Sequence, residues 1–130
     1  MKKLILFLFI LISTGASSQA LIGYSPSEVR AKFPDKEWEY GKWGERKNLM
    51  LMTFQTDDII VGYFFNEDQK SVICSITPLS QGTLQAMVEM YNKKYVIKDS
   101  FHWDFYNSGT VFKCSLNVTD EGVYYFLWSE

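Results

Sequence analysis

Histidine, cysteine and proline are scarce in this chain. One histidine, two cysteines and three prolines stand among 130 residues. A single histidine excludes a His-rich zinc site. The cysteines, Cys74 and Cys114, are far apart in the chain, so no C-x-x-C redox pair exists. Basic residues are neither abundant nor clustered: 13 Lys and Arg face 15 Asp and Glu, with a net charge of −2. Such a chain is a poor nucleic-acid binder. It has no G-x-S-x-G nucleophile motif and no calcium-loop spacing. The one long apolar run, Leu4 to Ile12, is about half of the ~20 residues that span a bilayer.

That run carries a different message. Lys2 and Lys3 precede it and small residues follow, the pattern of a secretory signal peptide. Residues 1–18 are the expected leader, with Ala16 and Ser18 at the cleavage site, and residues 19–130 form one α+β domain. No cysteine stands near the cleavage site, so no lipid attachment is expected. The domain is expected to be exported, periplasmic or secreted, with no transmembrane segment in the mature chain.

Within "YSPSEVRAKFP", Ser25 is an N-cap, Pro26 the first helical residue and Glu28 the partner that completes a capping box. Tyr24 and Val29 occupy the hydrophobic-staple positions, and Pro34 ends the helix. A second helix runs through "GTLQAMVEMYNKKY", where Leu84, Met87, Val88, Tyr91 and Tyr95 make one apolar stripe. The rest reads as strands over 36–41, 48–56, 59–66, 70–78, 99–106, 110–118 and 122–129. Turn chemistry separates them, at Asp57-Asp58, Asn66-Glu67-Asp68, Asn107-Ser108-Gly109 and Asp120-Glu121-Gly122.

Segment 36–65 can be laid on 99–128 without a gap. Trp38 then falls on Phe101, Tyr40 on Trp103 and Trp43 on Tyr106. A tandem repeat of a helix and three strands is one reading of this, and chance similarity of two β-meanders is the other. The expected fold is α+β: a two-layer antiparallel sheet of six or seven strands, with two helices mainly on one face.

Aromatic residues are plentiful, at 17% of the chain. With Asp57-Asp58 as a two-residue loop, Met50, Met52 and Phe54 face Phe65, Tyr63 and Val61 on one side of the sheet. With Asp120-Glu121 as the second loop, Asn117, Ser115 and Lys113 face Tyr124, Phe126 and Trp128. Polar partners mark that side as solvated. The opposite side, with Cys114, Leu116, Val118, Val123, Tyr125 and Leu127, would then be the core under the helices. Met50, Met52, Phe54, Tyr63, Phe65, Tyr124, Phe126 and Trp128 are therefore the expected binding surface. A sheet that folds over and buries this face itself is the other reading, and a one-residue slip in either turn would exchange the faces.

Cys74 and Cys114 read equally as a disulfide, favoured by export, and as two buried thiols. His102 alternates with Asp104 and Tyr106 on a polar strand face, more simply a solvated pair than a catalytic one. No catalytic residue, metal site or cofactor is expected.

The segments "LIGYSPSEVRAKFP", "NEDQKSVICSITP", "LQAMVEMYNKKYV" and "GVYYFLWSE" resemble small exported proteins of Bacteroidetes-type bacteria that have no assigned function. The opening G-x-S-x-x-E-V followed by aromatic strands resembles outer-membrane assembly lipoproteins of the SmpA/OmlA type. The plan of two helix-plus-sheet units is similar to that of the β-lactamase inhibitor proteins. These resemblances imply a binding module without catalysis, and they transfer no functional residue. The whole pattern implies an exported, non-enzymatic binding module that engages a protein partner, or itself as a homodimer. A periplasmic protein that holds a small apolar ligand is the alternative.

Overall fold

A computed structural model describes residues 21–42, 50–107 and 109–130. Residues 1–18, the expected leader, and Trp43, Leu49 and Ser108 lie outside these residues. Helix α1 (Pro26–Lys32) starts where the sequence sets its cap. The Glu28 N–H donates to Ser25 Oγ at 3.3 Å, and the Ser25 N–H donates to Glu28 Oε1 at 3.0 Å. Hydrogen bonding from the Ser25 backbone N–H, and then from its side chain, holds the Glu28 carboxyl below its ordinary pKa. Helix α2 (Gln81–Lys94) begins after Ser80, whose hydroxyl accepts the Thr83 N–H at 3.1 Å. Its stripe faces inward: Met87, Tyr91 and Tyr95 are buried, and Leu84 and Val88 pack against the core.

The strands are β1 (Glu39–Lys42), β2 (Met50–Gln55), β3 (Ile59–Phe65), β4 (Ser71–Pro78), β5 (Val96–Asp99), β6 (His102–Asn107), β7 (Thr110–Val118) and β8 (Tyr124–Ser129). They form one antiparallel sheet in the order β1-β2-β3-β4-β8-β7-β6-β5. The fold is α+β as expected, but with eight strands rather than six or seven. The extra strand is β5. Only Tyr95 separates it from α2, so no turn residue announces it, and all four of its side chains are exposed.

The two long hairpins differ by one loop residue, and that residue decides the faces. In the first, the Thr56 N–H donates to the Ile59 carbonyl at 2.9 Å across a two-residue loop. Met50, Met52 and Phe54 then stand opposite Phe65, Tyr63 and Val61, the expected register. In the second, Gly122 adopts φ 84°, a conformation that glycine reaches without steric cost. Its N–H donates to the Thr119 carbonyl, and the Thr119 N–H to the Val123 carbonyl, each at 2.9 Å. The loop is thus three residues long, a bulged hairpin with glycine in the left-handed position. Cys114 therefore faces Trp128, Leu116 faces Phe126, and Ser115 faces Leu127. The expected pairing is wrong by one residue, and side chains that alternate between faces change sides with it.

One row of side chains crosses all eight strands on the covered face: Tyr40, Met52, Tyr63, Cys74, Trp128, Cys114, Trp103 and Ile97. Its six inner members are at most 1% exposed, while Tyr40 and Ile97 are exposed at the two edges. Helix α2 covers the half of this face over β8, β7 and β6. The Tyr91 ring packs edge-on against Phe126, Trp128 and Trp103 at 4.9, 5.6 and 5.7 Å. Near the other edge, Phe33 and Trp38 close over Phe54 at 5.2 and 4.8 Å. The start of the described chain is tied down as well, because Ser71 exchanges backbone hydrogen bonds with Gly23 and Tyr24 and its hydroxyl donates to the Leu21 carbonyl.

Candidate functional site

The surface expected from sequence to be open is the core. Met52, Phe54, Tyr63, Phe65, Phe126 and Trp128 are all buried, and Met50 is half-buried against the same cluster. The helices lie on this side, so an uncovered aromatic and methionine face is corrected. Of the eight residues, Tyr124 alone is exposed, at 42%. It is the first residue of β8.

The two cysteines are free thiols, and the disulfide reading is corrected with them. Cys74 and Cys114 each stand opposite Trp128, one on either side of its strand. Two strand spacings separate them, roughly 9.5 Å, against a limit of about 7 Å between bonded Cα atoms. Burial pushes the Cys74 thiol up to about 12, and its hydrogen bond with Tyr63 offsets only part of that. Burial also raises Cys114, Tyr63 and Tyr91 well above their ordinary ranges. These are neutral core groups, and thiols of this kind are unreactive.

His102 does not pair with Asp104. Its Nδ1 lies 2.8 and 3.0 Å from the carboxylate oxygens of Asp99, within the β5–β6 turn. The Phe101 N–H and His102 together hold the Asp99 carboxyl below its usual range. Asp104 instead meets Lys98 at 3.7 Å. Ser115 stands opposite His102 across the ladder, but its hydroxyl accepts from Asn117 Nδ2 at 2.9 Å. His102 is thus a base oriented at one nitrogen, with no hydroxyl hydrogen-bonded to it among the described residues. That arrangement lacks the nucleophile contact acyl transfer needs.

All described strands belong to one sheet, and both described helices contribute to the covered face. No described helix or strand therefore lies over the other face. Its central row reads Glu39, Thr53, Gly62, Ser75, Leu127, Ser115, His102 and Asp99, mostly polar or small. Gly62 leaves room there for Thr53 and Leu51, whose methyl carbons lie 3.4 and 3.5 Å from where a Cβ would sit.

Exposed apolar residues gather elsewhere, at the end of the sheet where the β4–α2 junction meets the β7–β8 loop. Leu79 is 41% exposed, Val123 45% and Val118 54%, and Tyr124 pairs with Val118. Leu79, Val123 and Tyr124 border, with Ile60, Pro78 and Leu84, a cleft of about 410 Å³. A second cleft, of about 810 Å³, opens at the β2 edge beside the segment that leads into β1. The apolar end could not be found from periodicity, because it is made of strand ends and connections. Its one sequence signal is "GVYYFLW", whose apolar run extends past the part of β8 that the helix covers.

No family model, curated protein or solved structure matches the chain. Among the described residues no helix is long and apolar enough to cross a membrane.

Proposed function

We propose that this chain is an exported, non-enzymatic binding module that engages a polypeptide partner through the apolar end of its sheet, with Tyr124 as the anchor. The observation that carries this reading is the grouping of exposed Leu79, Val123 and Tyr124 around one cleft, with exposed Val118 paired to Tyr124 beside it. Clustered exposed apolar residues rimmed by polar ones mark interaction sites, whereas scattered ones mean nothing. Tyrosine suits an anchor because it offers a large apolar face and a polar tip. The pattern of Lys2, Lys3 and the apolar run supports export. The likeness to SmpA/OmlA-type lipoproteins and β-lactamase inhibitor proteins supports binding without catalysis. The element order gives a helix and four strands twice, with the units meeting where β4 pairs with β8. The expected repeat of a helix and three strands differs from this, because laying 36–65 on 99–128 puts β1, β2 and β3 on β6, β7 and β8.

The test is site-specific. A photo-crosslinking residue at Tyr124, in the exported protein in its own host, is expected to trap one polypeptide that the same residue at Lys113 does not. No adduct, or identical adducts from both positions, would count against the reading. A second reading, a small apolar ligand, is favoured by the size of the same cleft, which at about 410 Å³ falls within the usual range of ligand pockets.

A further inference from the structure

The larger cleft is a gap in the sheet edge. The β1–β2 ladder ends at the pair Glu39 and Thr53. On its other side, β2 forms its close hydrogen-bonded pairs with β3 through Thr56 and, by alternation, through Phe54 and Met52. The backbone groups of Gln55 therefore point the opposite way, toward the line that β1 would follow if it were longer. No strand is there. Gln55 instead lines the cleft, together with the segment from Asp35 to Glu39.

Two further features belong to this notch. Trp38, on its wall, has a buried indole N–H with no acceptor among the described residues. An unpartnered buried donor costs free energy, and the signal of this N–H reports on the wall of the notch. The notch is also acidic: the carboxylates of Asp35, Glu37, Glu39 and Asp57 line it against the single ammonium of Lys36. Lys36 Nζ lies 5.8 Å from the centroid of the Phe54 ring.

We propose that the notch binds a short extended peptide segment bearing lysine or arginine, which continues β1 along the edge of β2. The guest backbone pairs with the N–H and C=O of Gln55. A basic side chain on either flank meets the carboxylates. Main-chain pairing at an open sheet edge supplies affinity, and the flanking charges select the sequence. The proposal goes beyond the apolar-end reading and does not depend on Tyr124.

The experiment is titration of the folded mature protein with a synthetic peptide of alternating lysine and valine. Calorimetry reads affinity, and amide NMR reads the Gln55 N–H and the Trp38 indole N–H. The lysine peptide is expected to bind and to shift both signals, and a glutamate–valine peptide of equal length is expected not to bind. Gln55→Pro removes the outward donor without breaking a β2–β3 bond, and proline is tolerated at a strand edge. It should weaken binding by about tenfold. If Gln55→Pro does not fold, backbone N-methylation of the peptide on the wild-type protein makes the same test from the other side. Absence of binding, equal binding of the glutamate peptide, or affinity unchanged by N-methylation or by Gln55→Pro would each overturn the proposal.

Discussion

Two neighbouring rows of the same sheet show what separates its faces. The row through Met52, Tyr63, Cys74, Trp128, Cys114 and Trp103 is closed under helices and rings. The next row, through Thr53, Gly62, Ser75, Leu127, Ser115 and His102, is small or polar apart from one leucine. Adjacent residues on each strand thus carry opposite tasks. The apolar face supplies stability, because fully burying a large side chain contributes about 1.5–3 kcal/mol. The central row of the open face contributes little to the core, although Leu51, Ile60, Phe64 and Ile73 beside it are half-buried. The regularity of the sheet breaks at its ends and edges, where the connections and the short β1 lie.

The contrast is most severely tested by charge at the centre of the covered face. Phe126→Glu places a carboxylate beneath Tyr91 with no partner, and the chain is expected not to fold. Trp128→Ala should cost about 3–5 kcal/mol, read by urea unfolding. A folded Phe126→Glu protein would mean that the faces are assigned the wrong way round.

Alkaline pH tests the same face more gently. Tyr63, Tyr91, Cys74 and Cys114 all have raised pKa values in the folded chain, mainly through burial. Their contribution is present in full below the unfolded values, about 8.5 for a thiol and about 10 for a phenol. It is lost as pH rises through the folded values, about 12 for Cys74. Unfolding midpoints should therefore hold steady at neutral pH and fall from about pH 9 upward.

Smaller effects sharpen the comparison. The Trp128 indole N–H donates to the Tyr91 hydroxyl at 3.4 Å inside the core. Tyr91→Phe leaves that donor unpaired and should cost about 1 kcal/mol in urea unfolding. On the open face, Leu127→Thr should change stability by less than about 1 kcal/mol in the same assay, although Leu127 is next in sequence to both Phe126 and Trp128.

Much of this was legible in the sequence. Ser25, Pro26 and Glu28 announce α1, and the stripe through Met87, Tyr91 and Tyr95 gives the buried side of α2. Asp57-Asp58 gives the first hairpin in its true register. The second hairpin was misread because Asp120-Glu121 looks like a complete two-residue turn, whereas Gly122 takes the left-handed position and joins the loop. That single residue put polar Lys113, Ser115 and Asn117 beside Tyr124, Phe126 and Trp128, and so made a core face look solvated. The binding surface failed with it, since seven of its eight residues belong to the core cluster or pack against it, and only Tyr124 reaches the surface. Neither cleft was legible, because each is formed by where strands stop rather than by which residues alternate.

Thiol labelling of the folded protein tests the face assignment most directly, because Cys74 and Cys114 both lie on the covered side. In a Leu127→Cys variant a single thiol, the introduced one, should react with an aqueous disulfide reagent in the native state, and the other two only after denaturation. Native reaction of Cys74 and Cys114 with protection at position 127 would contradict the account.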